Sequence, residues 1–174
     1  MIKLIYERIK KMRNPVKYWR SKGSKIGSGC EINPTACFGS EPYLVTLGNN
    51  VRITGNVTLV THDGGVWVAR NMHPEYRDAD RFGCIKIGNN VHVGMGATVM
   101  PGVTIGDNCI IGVGAIETKD IPNNSVAVGV PARVIETVDE YVQKNSQQFE
   151  HTKKMNPNDK RNYLESKHVI RGEK

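Results

Sequence analysis

Two histidines in the middle of the chain are the side chains best suited to acid–base chemistry. His62 stands in the run THDGG, and His73 stands in the run NMHPEYR. Imidazole titrates near neutral pH, so either side chain can take a proton from a hydroxyl group. One acidic residue, Asp63, directly follows His62 and can orient such a base. Asp63 can equally begin a turn with the two glycines that follow it.

The histidines and cysteines do not show the spacing of a metal site. A carbonic anhydrase built on a coil of short sequence repeats would need three histidines to bind its zinc ion, two of them five residues apart. Here Ala97 is five residues after His92, and Trp67 is five residues after His62. The four cysteines, at positions 30, 37, 84 and 109, have no CxxC spacing. We therefore expect no metal, and reduced thiols in a protein of the cytoplasm.

Length, composition and charge limit the class of protein. The 174 residues, 39% hydrophobic and 24% charged, are typical of one folded domain or slightly more. No apolar run approaches the length of a membrane-spanning helix. The net charge of +7 is concentrated in residues 1–25, which contain nine Lys or Arg and one Glu. The nearly neutral remainder argues against a nucleic-acid groove over the whole domain.

The basic segment 1–25 contains a predicted helix. Ile2, Ile5, Ile9 and Met12 recur at helical spacing with basic residues between them, and Asn14-Pro15 should end the helix. Such a helix either packs on the domain or turns a basic face towards an anionic membrane surface. Both alternatives remain open at this point.

Residues 26–116 contain an internal repeat of six residues. Aliphatic or aromatic residues occupy every sixth position in three phased runs, and small or β-branched residues stand four positions later. The runs are Ile26, Ile32, Phe38; Leu47, Ile53, Leu59; and Ile87, Val93, Val99, Ile105, Ile111. This period fits neither a helix nor a simple strand. It indicates short strands joined by tight turns, wound into a coil whose interior the two residue columns fill and whose corners glycines occupy.

The repeat is interrupted twice and then fades. Between Phe38 and Leu47 the chain has three residues more than one repeat. Between Leu59 and Ile87 it has a long insertion, loop 63–84. Long loops on rigid scaffolds often carry function. Trp67 and Tyr76 in this loop can either stack on a sugar ring or pack within the loop itself. After Ile111 the expected aliphatic residue is replaced by Glu117, so we expect the repeat to fade there and residues 118–133 to close the stack. A C-terminal amphipathic helix beginning at Val134 and a polar tail then make up residues 134–174.

A longer stretch of this repeat carries a family resemblance. Residues 87–135 read IGNNVHVGMGATVMPGVTIGDNCIIGVGAIETKDIPNNSVAVGVPARVI. Over about residues 24–140 the chain resembles the hexapeptide-repeat acyltransferases, and GNVTLVTHDGGVWV at 55–68 resembles the branch that acetylates sugars in bacterial capsule and lipopolysaccharide synthesis. The resemblance implies a left-handed parallel β-helix over residues 26–133, mainly β with short N- and C-terminal helices. It also implies a homotrimer with active sites between subunits, and acetyl-CoA as donor.

The resemblance also implies roles for single residues. It places the general base at His62, with His73 as the competing candidate and direct transfer from acetyl-CoA without an acyl-enzyme. Glu41 corresponds to an acidic residue that contacts acceptor hydroxyls or braces the imidazole. His92 stands where relatives often have tryptophan near the substrate channel. We also assign Asp63 and Trp67 to the substrate side of the site.

The acetyl-CoA site is expected along one edge of the coil. The resemblance implies that the cofactor is contacted by Met95, Val113, Thr118, Lys119 and Arg133. Along the same edge, Gly94, Gly112 and Gly114 have no side chains, so the pantetheine arm can approach their backbone closely. Lys119 and Arg133 suit the phosphates of the nucleotide. A second arginine of some relatives is replaced here by Glu136.

The sequence therefore predicts an acetyl-CoA-dependent O-acetyltransferase. The expected acceptor is a sugar or nucleotide-linked saccharide used in cell-surface polysaccharide synthesis, and no nucleic-acid partner is expected. Alternatives are acetylation of an amino sugar or of serine, and a non-catalytic scaffold trimer. The expected location is the cytoplasm, near the inner face of the plasma membrane if residues 1–25 contact it.

Overall fold

The computed structural model describes residues 2–167. Met1 and the end of the predicted tail, residues 168–174, lie outside the described residues, as do the side chains of residues 2–4, including that of Ile2. The chain divides into two compact units at the boundary between Tyr141 and Val142. The first unit contains the repeat. In the second, an ion pair between Lys167 and Glu150 at 3.2 Å joins helix α5 (Pro157–Lys167) to the segment before it.

The six-residue repeat folds into a parallel coil with three faces. Face A contains β1 (Lys25–Ile26), β3 (Val45–Leu47), β6 (Ile85–Ile87) and β9 (Thr104–Ile105). Face B contains β2 (Glu31–Ile32), β4 (Arg52–Ile53), β7 (His92–Val93), β10 (Ile110–Ile111), β12 (Ser125–Gly129) and β13 (Ala132–Thr137). Face C contains β5 (Thr58–Leu59), β8 (Thr98–Val99) and β11 (Ile116–Glu117).

One turn of the coil takes 18 residues, or three repeats. Lys86 pairs with Thr104 on face A, and Thr98 pairs with Ile116 on face C, in both cases in parallel. From β1 to β12, consecutive strands therefore lie on different faces, and each strand hydrogen-bonds to a strand one turn away. This is the mainly β architecture of hexapeptide repeats with flanking helices that the sequence predicts.

The two residue columns fill the interior of the coil, as predicted. Every sixth-position residue from Ile32 to Ile111 is buried, as are most of the small residues, among them Ala36, Val57, Ala97 and Ala115. Cys109 is buried within this core and Cys30 is half-buried. The core is continuous along the coil because each turn places apolar side chains at the same positions as the turn before it.

The glycines that follow the aliphatic residues serve close packing between turns. A Cβ on Gly94 would lie 2.7 Å from the carbonyl carbon of Gly112 in the next turn. The left-handed backbone at the corner between faces A and B belongs instead to Asn50, Asn90 and Asn108, each with φ of 54°. The prediction that these glycines supply corner conformations is therefore wrong for this corner. Asparagine tolerates positive φ, while only glycine allows the turns to approach so closely.

Two helices precede the coil. Helix α1 (Ile2–Arg13) ends before Asn14, whose side chain caps helix α2 (Pro15–Ser21) by accepting a hydrogen bond from the amide of Lys17 at 2.9 Å. Trp19 of α2 is buried and stacks on Phe38 with ring centroids 4.6 Å apart. The aromatic pair thereby covers the interior at the first turn of the coil.

The C-terminal end of the coil differs from the prediction. The repeat does not fade after Ile111, because β11 adds a further strand to face C and its Glu117 is fully buried where an aliphatic residue was expected. Strands β12 and β13 then pair antiparallel. Residues 132–137 are therefore extended, and helix α4 (Val138–Asn145) begins at Val138 instead of Val134.

Within residues 2–167, no helix has both the length and the apolar character needed to cross a bilayer.

Candidate functional site

The two interruptions of the repeat lie at the same edge of the coil. The first insertion, residues 39–44, follows Phe38, and the second insertion, residues 60–84, follows Leu59 one turn later; both connect face C to face A. The insertions are in contact, since a Cβ on Gly39 would collide with Thr61. Residues that are separated by about twenty positions in sequence therefore meet at this edge.

Four polar side chains from the two insertions form one hydrogen-bonded cluster. Nδ1 of His62 lies 3.2 Å from Oε2 of Glu41 and 3.0 Å from Oγ of Ser40. The Thr61 hydroxyl donates to the same Glu41 oxygen at 2.8 Å, and the Ser40 hydroxyl is 3.1 Å from it. We call Ser40, Glu41, Thr61 and His62 the histidine cluster.

The electrostatics of the histidine cluster favour an ionised Glu41. The hydroxyl of Thr61 is the main cause that lowers the pKa of the Glu41 carboxyl below its ordinary value, and Ser40 and His62 lower it further. Glu41 is only 16% exposed, whereas the His62 side chain is 47% exposed. A carboxylate is thus held against one ring nitrogen of a histidine that remains open to solvent.

The segment after His62 is fixed by contacts that do not involve the imidazole. Oδ1 of Asp63 accepts a hydrogen bond from the amide of Gly65 at 2.9 Å, and Oδ2 pairs with Arg81 at 2.9 Å. Asp63 therefore serves the turn. Backbone pairing of His62 with Phe82 closes the base of the second insertion, and the Phe82 ring lies edge-on to the imidazole at 6.4 Å.

The second insertion is partly helical. Helix α3 (Val66–Met72) carries Trp67, which is exposed, and Arg70 joins the helix to the returning chain through Asp80. His73 ends the helix, and its contacts are with Glu75, at 3.7 Å, and with the ring of Tyr76. The structure thus brings Glu41 to His62, but places His73 in a separate group of residues.

His92 lies on face B beside Arg52, with which it pairs in register. Both line a hollow of about 300 Å³ together with Asn50, Asn90 and Asn108. Burial is the main cause that lowers the pKa of His92, and the charge of Arg52 lowers it further. His92 is therefore favoured as a neutral imidazole and lies on a different face from the residues that lead into the histidine cluster.

The predicted donor-binding residues are mostly gathered at the edge between faces B and C. Met95 and Val113 are exposed there on successive turns, and the amide of Gly114 donates to the carbonyl of Met95 at 2.9 Å. A Cβ on Gly96 or Gly114 would meet no atom within 4 Å, so the edge is open. We call Met95, Gly96, Val113 and Gly114 the donor edge.

The remaining candidates lie at the C-terminal end of the coil. Thr118 and Lys119 are exposed directly after β11, and Arg133 is exposed in β13, where it bonds the carbonyl of Ala132. Gly94 and Gly112 are needed for packing between turns. Within residues 2–167, no three His, Cys, Asp or Glu side chains converge as metal ligands would.

The sequence reasoning missed Ser40 and Thr61. Both flank residues that it did select, and both lie at interruptions of the repeat. The available signal was the position of the two interruptions within the repeat. Both come after a residue of face C, so they had to lie one above the other. Adding 21 residues, which are the 18-residue turn and the three extra residues of the first interruption, to Ser40 and Glu41 leads to Thr61 and His62.

Comparison with known proteins places the chain among repeat-containing transferases. The family described as "Bacterial transferase hexapeptide (six repeats)" matches residues 84–116. Protein CapG of Staphylococcus aureus is 41% identical over 150 residues, which are 85% of this chain and 86% of that protein.

Solved structures give the same result. A maltose O-acetyltransferase from Clostridium difficile 630 is 31% identical, with a TM-score of 0.52 over 70% of this chain and 73% of that one. A galactoside acetyltransferase in complex with coenzyme A is 26% identical, with a TM-score of 0.56 over 82% of both chains. The chain therefore belongs to the hexapeptide-repeat transferase family, and within that family it is an acetyltransferase.

Proposed function

We propose that this protein transfers an acetyl group from acetyl-CoA to a hydroxyl of a sugar or nucleotide-linked saccharide used in cell-surface polysaccharide synthesis. The histidine cluster carries the proposal, because it pairs a solvent-accessible imidazole with a carboxylate where two insertions meet. The acetylated galactoside and maltose in the names of similar structures support a saccharide acceptor. The resemblance of residues 55–68 to the branch that acetylates sugars in capsule and lipopolysaccharide synthesis supports a role in cell-surface polysaccharide synthesis.

His62 acts as the general base. In the tautomer with its proton on Nδ1, the ring donates to Glu41, and Nε2 is left to accept a proton. Nε2 takes the proton of the acceptor hydroxyl while that oxygen forms a bond to the thioester carbon. His62 then returns the proton to the sulfur as the carbon–sulfur bond breaks. Because a thioester is already activated, transfer within one ternary complex needs no acyl-enzyme.

The donor edge would hold acetyl-CoA. Met95 and Val113 offer apolar surface beside open backbone at Gly96 and Gly114, which suits a thin pantetheine arm. Lys119 and Arg133 would pair with the phosphates of the nucleotide. The galactoside acetyltransferase crystallised with coenzyme A supports this donor.

A homotrimer would complete the site. The histidine cluster lies at the edge between faces C and A, whereas the donor edge lies between faces B and C of the same chain. A threefold arrangement can bring one chain's histidine cluster to its neighbour's donor edge, so the active site would lie between subunits. We also propose that the coil is left-handed, as the family resemblance implies.

A thiol-release assay tests the proposed activity. With acetyl-CoA as donor, we expect free CoA to appear in the presence of saccharides or nucleotide sugars with free hydroxyls. An amino sugar and serine, offered in parallel, test the two alternative acceptors. Release with serine alone, or with no acceptor of the panel, would contradict the proposal.

Glu41 is proposed as a positioning residue for His62. Replacing Glu41 with glutamine keeps its size but removes the charge that stabilises the imidazolium formed during proton transfer. We expect kcat to fall by about ten- to a hundredfold. The KM values for acetyl-CoA and for the acceptor should stay close to those of the parent protein.

A double-mutant cycle separates positioning from acceptor binding. If Glu41 acts through the imidazole, adding Glu41→Gln to a His62→Ala protein should change the residual rate little. A raised acceptor KM with unchanged kcat would instead assign Glu41 to the acceptor hydroxyls. Glu75→Gln, an exposed carboxylate of the second insertion, is the matched control.

A further inference from the structure

The apolar side of helix α1 faces solvent. Ile5, Ile9 and Met12 follow one another at helical spacing and are 53%, 48% and 63% exposed, and Tyr6 beside them is 56% exposed. A surface helix of a globular protein normally turns such a stripe towards the core. We call these four residues the apolar stripe of α1.

The opposite, polar side of α1 holds the helix to the domain. Glu7 forms an ion pair with Lys22 at 2.6 Å, and Lys11 lies over the ring of Trp19 at 5.1 Å. Burial is the main cause that lowers the pKa of Lys11. The orientation of α1 is therefore set by polar contacts that leave its apolar stripe outward.

Basic side chains lie next to the apolar stripe. Lys10, Arg13 and Lys17 line a hollow of about 270 Å³ between α1 and α2, together with Tyr18 and Ser21. Arg8 is a further exposed cation on α1. Cations beside an outward apolar stripe match an anionic lipid surface, whose phosphates would meet the hollow while the stripe enters the boundary of the acyl chains.

We propose that α1 binds the surface of an anionic membrane, with the apolar stripe in the interface and Lys10, Arg13 and Lys17 against lipid phosphates. A second copy of the chain is a poorer partner for this surface, because pairing two stripes would bring like charges together. The proposal does not depend on the identity of the acceptor.

Flotation of the full-length protein with lipid vesicles tests this proposal. We expect the protein to float with vesicles of phosphatidylcholine mixed with phosphatidylglycerol, and not with phosphatidylcholine alone. The double variant Ile9→Asp, Met12→Asp should reduce the bound fraction at least about tenfold, because both side chains leave the interface. Val142→Asp, which changes an exposed apolar residue of α4, is the matched control and should float like the parent protein.

The charge contribution is tested separately. Each of Lys10→Gln, Arg13→Gln and Lys17→Gln should weaken partitioning about fivefold, and added salt should weaken it further. Equal binding to neutral vesicles, or flotation unaffected by the stripe variants, would overturn the proposal. A changed oligomeric state of the Ile9→Asp, Met12→Asp protein in sedimentation would also overturn it, since the stripe would then be a subunit contact.

Discussion

Replacing His62 with alanine is expected to slow acetyl transfer by about a hundred- to ten-thousandfold, the usual contribution of a general base. Without the imidazole, the acceptor hydroxyl must lose its proton to water while it attacks the thioester. Glu41, Ser40 and Thr61 are then left without the base that they surround. The loss should appear in kcat, measured as CoA release with the best acceptor of the panel.

Binding of the donor provides the first control for His62. Because the proposed contacts with acetyl-CoA are made by Met95, Val113, Lys119 and Arg133 and not by His62, the alanine variant should bind acetyl-CoA as tightly as the parent protein in a calorimetric titration. His73→Ala is the second control, since it removes the other histidine of the same insertion. If His73→Ala abolished transfer and His62→Ala did not, the assignment of the base would be wrong.

Glu117 is expected to make the stability of the fold depend on pH. Its carboxylate is fully buried in the interior column of face C, and neither oxygen has a hydrogen-bond partner among the described residues. Burial raises its pKa from 4.5 to about 7. At neutral pH and above, the folded protein must hold an uncompensated charge or a proton that the unfolded chain has already released.

The sign of the effect follows from proton binding. Below about pH 4 the side chain is protonated in both states and costs no charge penalty. As pH rises, the unfolded chain loses its proton first, so the free energy of unfolding falls until the folded protein ionises near pH 7. Above that pH the penalty is constant, at up to about 3 kcal/mol.

The variant Glu117→Gln isolates this charge, because glutamine has the same shape and stays neutral. In denaturant titrations, we expect the variant and the parent protein to differ little near about pH 4. Above about pH 8 the variant should be more stable by up to about 3 kcal/mol. Glu75→Gln, on the surface, should show no such rise, and a pH-independent difference for Glu117→Gln would show that the buried charge is not the cause.

Local sequence patterns were sufficient to predict the coil, its core and the end of α1. These features depend on local pattern: an aliphatic residue at every sixth position can be buried continuously only if each turn repeats the one before it. Asn14-Pro15 likewise ends α1 because the residue before proline disfavours helical backbone. His62 could be selected as a candidate because it opens a long insertion, and the structure leaves its side chain open to solvent.

The partners of His62 depend on how the turns stack. The sequence of a single repeat does not contain that information. Ser40 and Glu41 reach the imidazole because two insertions leave the same edge of the coil one turn apart. The repeat is expected to fade at Glu117, yet hydrogen bonds between β11 and β8 keep the Glu117 side chain in the core, where its carboxyl is buried. Residues 134–137 have a helical pattern but pair with β12, because an available strand edge outweighs weak local preference.

The orientation of α1 also depends on contacts with other segments of the chain. Its amphipathic pattern is evident in the sequence, and the expectation for such a pattern is burial of the apolar side. The ion pair of Glu7 with Lys22 and the contact of Lys11 with Trp19 reverse that expectation. Local spacing thus determined which residues share a face, whereas contacts between segments distant in sequence decided what each face meets, since those contacts form only when the coil is complete.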